Sequence, residues 1–138
     1  MEAWTKANQI VVKALIRNGV VILSGTDTGA TSVVAGFSIH DELESLVNNG
    51  LSHSKALYSA TVAPAKFANK ITGMIKAGYK ADLLLLSENP LDNISNTRSF
   101  EAVFFDKYHL TKDNKEALLT AILKANDKSR TIDISKWQ

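Results

Sequence analysis

Two residues stand where their types and spacing could do chemistry, Asp27 and, 13 positions later, His40. Asp27 sits in Gly25-Thr26-Asp27-Thr28-Gly29, directly after the apolar run Val20-Val21-Ile22-Leu23. A strand that runs into a glycine-containing turn and presents a carboxylate there is how a parallel α/β barrel aims a functional group into its mouth. Asp is also a common turn residue that bonds its own backbone, so position alone leaves both roles open. His40 falls at the entrance of the next helical segment. An imidazole there could share the space of Asp27 and bind substrate or move a proton; it could equally cap or solvate the helix start.

The other candidates read as structural. His53 follows Gly50-Leu51 on a turn, and His109 follows an aromatic residue in a strand. Glu42 and Glu44 flank an apolar stripe and read as a solvated face rather than an acid/base pair. Asp82 precedes Leu83-Leu84-Leu85-Leu86 and reads as a backbone-fixing residue at a strand entry. The sequence carries no phosphate-binding glycine loop, dinucleotide fingerprint, nucleophile elbow or two-histidine metal motif.

The elements that must position Asp27 and His40 follow from periodicity. Apolar residues at Trp4, Ala7, Ile10/Val11, Ala14 and Leu15 recur at three and four, which predicts a helix that Asn18-Gly19 stops. The β-branched run Val20 to Leu23 predicts a strand buried on both faces, left at Gly25. Ser38 is placed to cap a helix with Asp41 and Glu42 in its first turn and Leu43, Leu46 and Val47 as its stripe, ended by Asn49-Gly50. A second helix starts at Ser52, and Pro64 breaks it or opens another helical turn. Gly73 and Gly78 bracket a turn before a strand at Ala81 to Leu86. Phe100 to Phe105 and Tyr108 to Leu110 form a hairpin around Asp106-Lys107. Thr111 caps a last helix to about Ala125, with Leu118, Ala121, Ile122 and Ala125 on one face. The polar tail holds a short alternating piece, Ile132 and Ile134.

Composition narrows the class. At 138 residues, 45% hydrophobic and 22% charged, the chain suits one globular domain able to bury about two-thirds of its unfolded surface. Sixteen Lys and Arg against 14 Asp and Glu, with no basic block, leave no footprint for nucleic acid. The absence of cysteine excludes thiolate chemistry and disulfides and fits a cytoplasmic setting. No apolar run approaches a membrane span and no signal pattern opens the chain, so neither a membrane partner nor export is expected.

Several segments in order resemble one family. "GTDTG" after an apolar run, "GFSIHDELESLVNNGLSHSKALYSATVAPAKF" and "GMIKAGYKADLLLLSENPLDNISNTRSFEAVFFDKYHL" are similar to the C-terminal part of the metal-dependent amidohydrolases, closest to the imidazolonepropionase-like and peptide-processing branch. The most specific piece is Gly73-x-Ile75-x-x-Gly78-x-x-Ala81-Asp82-Leu83 with Asn89-Pro90-Leu91 and Asn96-Thr97-Arg98. The resemblance implies an α/β fold: the last strand-helix portion of a (β/α)₈ barrel over residues 1–70, with Val20 to Ser24 as its eighth strand. It further implies part of a composite β-sandwich over 71–111 and a C-terminal helix and tail over 112–138. It makes Asp27 the last-strand aspartate that holds the catalytic divalent metal, zinc by expectation, and relays a proton; His40 becomes a substrate contact.

The resemblance also implies a His-x-His pair, a Lys or Glu and two further histidines on earlier strands, and those segments are not among these 138 residues. A metal that polarises water needs several ligands in fixed geometry, and Asp27 is one. The chain therefore reads as the C-terminal fragment of a hydrolase acting on C–N bonds of a small molecule, inactive alone. The alternative is a natural truncated relative with a binding or assembly role. A barrel strand without neighbours and helix faces without a barrel leave apolar surface open, which predicts self-association.

Overall fold

A computed structural model describes residues 2–31 and 33–130. Five helices and a three-stranded sheet follow one another as α1 (Glu2–Arg17), α2 (Ser38–Asn48), α3 (His53–Ala60), α4 (Val62–Phe67), β1 (Leu83–Leu86), a 3₁₀ turn (Ile94–Arg98), β2 (Phe100–Phe105), β3 (Tyr108–Thr111) and α5 (Lys112–Arg130). Among the described residues no helix is long and apolar enough to cross a membrane.

The packed centre is built from α2, α3, α4 and the 3₁₀ turn. Leu43 of α2, Ala56 of α3 and Ile94 of the 3₁₀ turn form one buried cluster, with Val47, Leu57 and Ala60 against it. Ala56 has no exposed surface, so α2 and α3 meet at a position where any longer side chain would force them apart. The Ser52 hydroxyl accepts from the Lys55 amide and caps α3. Thr61 separates α3 from α4, and Pro64 falls in the first turn of α4, where a missing N–H costs little. Gly73, at φ 79°, lies so close to this junction that a Cβ would stand 2.5 Å from the Thr61 carbonyl oxygen. Both its conformation and its neighbour therefore require glycine.

The sheet is antiparallel in the order β1-β2-β3. Leu84 pairs with Val103 and Val103 with Leu110, while a register shift at Leu85/Leu86 bends the end of β1. Phe105 faces Tyr108 across a two-residue turn whose first residue, Asp106, takes φ 52°, a conformation Asp tolerates better than most. At the other end of β3, the Thr111 amide donates to Asn114 Oδ1, and the Asn114 amide to Thr111 Oγ1. This reciprocal pair starts α5.

Four expectations change. Val20 to Ser24 forms no strand: the run has no ladder, and Val21 is 66% exposed. The propensity is present, but a ladder exists only against another strand, and the described neighbour of this run is helix α3, whose Ser59 bonds Ser24. Ser38 is the first helical residue of α2, not its cap; its hydroxyl accepts from the Val34 amide in the preceding turn. The strand expected from Ala81 begins at Leu83, the first residue laddered to β2, opposite Phe104, with the Lys80–Asp82 pair at 3.0 Å just ahead of it. The last helix runs past Ala125 to Arg130, and the outer part of its apolar face is open, with Ile122 and Leu123 more than half exposed. Ile132 and Ile134 lie outside the described residues.

Candidate functional site

Asp27 lies in the exposed loop between α1 and α2, at φ 54°. The loop is fastened on both sides. Upstream, the Ser24 amide donates to the Ser59 carbonyl at 3.0 Å, and the two hydroxyls are 2.6 Å apart. The Gly25 amide then donates to Glu42 Oε1 at 2.7 Å, a short charge-assisted bond. The Thr26 and Thr28 hydroxyls meet at 2.9 Å across Asp27, and the Ala30 amide returns to the Asp27 carbonyl at 3.1 Å. Glu42, read from sequence as part of a solvated face, is the residue of α2 that ties this loop down.

His40 occupies the first turn of α2, half-buried. Its Nδ1 is 2.9 Å from Thr97 Oγ1, and the Thr97 hydroxyl donates to the Ile94 carbonyl at 2.9 Å. With that hydrogen committed, Thr97 accepts from Nδ1–H, which leaves the Nε2 lone pair as an acceptor. Burial lowers the His40 pKa below 6.5, and the Arg98 and Lys115 cations lower it further against the opposing carboxylates of Asp41 and Glu44. His40 is thus neutral at neutral pH. It borders a groove of about 570 Å³ walled by Phe37, Leu84, Val103, Leu110 and Leu118.

Arg98 carries the second tie to α2, at 2.6 Å from Asp41 and 3.3 Å from Glu44. The pair Glu42/Glu44 is therefore divided, Glu42 toward the Asp27 loop and Glu44 toward the 3₁₀ turn. His53 donates through Nδ1–H to the Leu91 carbonyl, 2.7 Å away, and His109 stacks on Phe104 with ring centres 4.6 Å apart.

The structure does not bring Asp27 and His40 into one cluster. Asp27 does not line the groove that His40 borders, and among the described residues no three His, Asp or Glu gather where they could hold a metal ion. The described donors do not by themselves fit a catalytic metal. What joins the two residues is α2, which carries His40 and, two positions on, the carboxylate that holds the Asp27 loop. Sequence reading missed Glu42 and Arg98 as positioning residues; the one signal for Arg98 was its place in Asn96-Thr97-Arg98.

The family model of the amidohydrolase family matches residues 4–125, and the chain belongs to that family. Ochratoxinase of Aspergillus niger is 31% identical over 114 residues, covering 74% of this chain and 22% of that protein. A Xaa-Pro dipeptidase solved with methionine in its active site superposes with a TM-score of 0.65 at 30% identity, over 75% of this chain and 25% of its own. A molinate hydrolase shares the fold at a TM-score of 0.63 and 23% identity, over 72% and 25% of the two chains. The chain thus spans about a quarter of the length of these relatives.

Proposed function

We propose that this chain is the C-terminal segment of a hydrolase that cleaves C–N bonds, amide or cyclic amide, in a small molecule, and that it has no turnover alone. The observation that carries this reading is the family match over residues 4–125 at about a quarter of the relatives' length, with Gly25-Thr26-Asp27-Thr28-Gly29 at the end of an apolar run. Val20 to Ser24 is then the last strand of a barrel whose other strands lie outside these residues. Residues 71–111 contribute to a second sheet domain, and 112–138 form a terminal helix and tail. Asp27 supplies one carboxylate to a divalent-metal centre, zinc in our reading, which when complete provides an activated water. His40 contacts substrate through Nε2.

Likeness to a Xaa-Pro dipeptidase makes Xaa-Pro dipeptides the first substrates to assay. The test is a graft in which residues 4–125 replace the matching quarter of that dipeptidase. Dipeptide hydrolysis by the graft, lost by about 10²–10⁴-fold in Asp27→Asn, is the expected result. Hydrolysis that Asp27→Asn leaves unchanged would sink the role of Asp27, and stoichiometric metal with turnover in the 138-residue chain alone would sink the fragment reading. A second reading, assembly or binding only, is favoured by the open apolar faces of α1 and α5, where Ile10, Val11, Ile122 and Leu123 are each more than half exposed. It predicts self-association of the isolated chain and no turnover in the graft.

A further inference from the structure

We propose that Glu42 is a positioning residue for Asp27, acting through the backbone of Gly25. This inference rests on the reading of Asp27 as a reacting carboxylate and adds the group that aims it. Asp27 holds a left-handed conformation in an exposed loop, a backbone basin that L-residues other than Asn and Asp rarely visit and that even Asp occupies less readily than the right-handed one. The loop must therefore be held by contacts that outweigh the local preference. Those contacts are few and located. Ser59, itself buried, fixes Ser24 by two bonds. One residue on, Glu42 Oε1 takes the Gly25 amide at 2.7 Å.

Gly25 is where restraint is needed. It has no side chain to limit its rotation, and nothing lies within 4 Å of where a Cβ would be, so packing does not hold it. Without Glu42, the last fixed point before Asp27 is Ser24, with a free glycine between that point and Thr26. Glu42 is anchored in its turn. Its helix packs through Leu43 and Leu46 into the core, and on another side Asp41 and Glu44 are tied to Arg98. The direction of Asp27 is thereby set from the rigid part of the molecule through one carboxylate–amide bond.

The full chain tests the clamp directly. It contains seven glycines, so ¹⁵N-glycine labelling resolves the Gly25 amide. Its hydrogen exchange is expected to accelerate at least about tenfold in Glu42→Ala and to stay near wild type in Glu42→Gln, which keeps an acceptor oxygen. Equal exchange in wild type and Glu42→Ala would overturn the clamp, whether or not any activity is measurable. In the dipeptidase graft, Glu42→Ala is expected to lower kcat about 10–100-fold with KM little changed, and Glu42→Gln to restore most of it. Loss of turnover in Asp27→Asn beside an unaffected Glu42→Ala would overturn the positioning role alone. Full turnover in both variants would overturn the reading of Asp27 on which it rests.

Discussion

The middle of this chain and its two ends are built on opposite terms. From Ser38 to Arg98 the helices answer one another: Leu43, Ala56 and Ile94 close a core, and Arg98 returns to Asp41 and Glu44 across 54 residues or more of sequence. Before Ser24 and after Lys112 the same apolar periodicity is present, but the described residues cover it only in part. Leu15, Val20, Val21 and Leu23 lie open on one side, and Leu118, Ile122 and Leu123 on the other. Similar residues thus have different fates because a hydrophobic stripe stabilises only what it is buried against. The middle carries its partners within the chain; the ends leave much of their apolar surface open among the described residues.

If that contrast is right, equal substitutions should have unequal effects. Leu43→Ala removes the centre of the buried cluster and should cost about 2–5 kcal/mol, read as a shift of the denaturation midpoint. Gly73→Ala follows, at about 1–3 kcal/mol, because it strains a left-handed backbone and drives a methyl group into the Thr61 carbonyl. At the open end, Leu123→Ala should change stability by no more than about 0.5 kcal/mol, while Leu123→Asp should reduce association of the chain in sedimentation. A cost for Leu123→Ala matching that of Leu43→Ala would erase the difference between the regions.

A smaller effect is tied to pH. Folding lowers the pKa of His40 below its ordinary 6.5, so on acidification the unfolded chain takes up that proton first. The contribution is intact above pH 6.5 and is lost as pH falls through 6.5 toward the lowered folded value. Thermal denaturation at about pH 7.5 and about pH 5.5 should show a smaller acid loss in His40→Gln than in the wild type. An equal loss in both would mean that His40 gains no proton penalty from its place beside Thr97, Arg98 and Lys115.

What was legible in the sequence was local. The stripe Leu43, Leu46, Val47, the helix start at Ser52, which the structure makes the cap of α3, and the hairpin Phe100 to Leu110 are each specified within a few residues, and the structure holds them. Val20 to Leu23 was legible as a type but not as an outcome, since β-branched residues favour a strand and only a neighbouring strand makes one. The ties that organise the candidate site were not legible at all. Glu42 reaches Gly25 from 17 residues away and Arg98 reaches Asp41 from 57. Nothing in the local pattern distinguishes those carboxylates from the solvated face of a helix. Asp27 and His40 were singled out by their place after an apolar run and at a helix entrance; that only His40 borders the groove depends on long-range packing.

The most direct measurement compares hydrogen exchange at Val21, Ile22 and Leu23 in the isolated 138-residue chain and in the dipeptidase graft. If these residues are a barrel strand without its neighbours, their amides exchange almost as freely as an open coil in the isolated chain. In the graft they should become protected by about a thousandfold or more. Amides already protected in the isolated chain, or equally open in both, would contradict the account of a segment completed from outside.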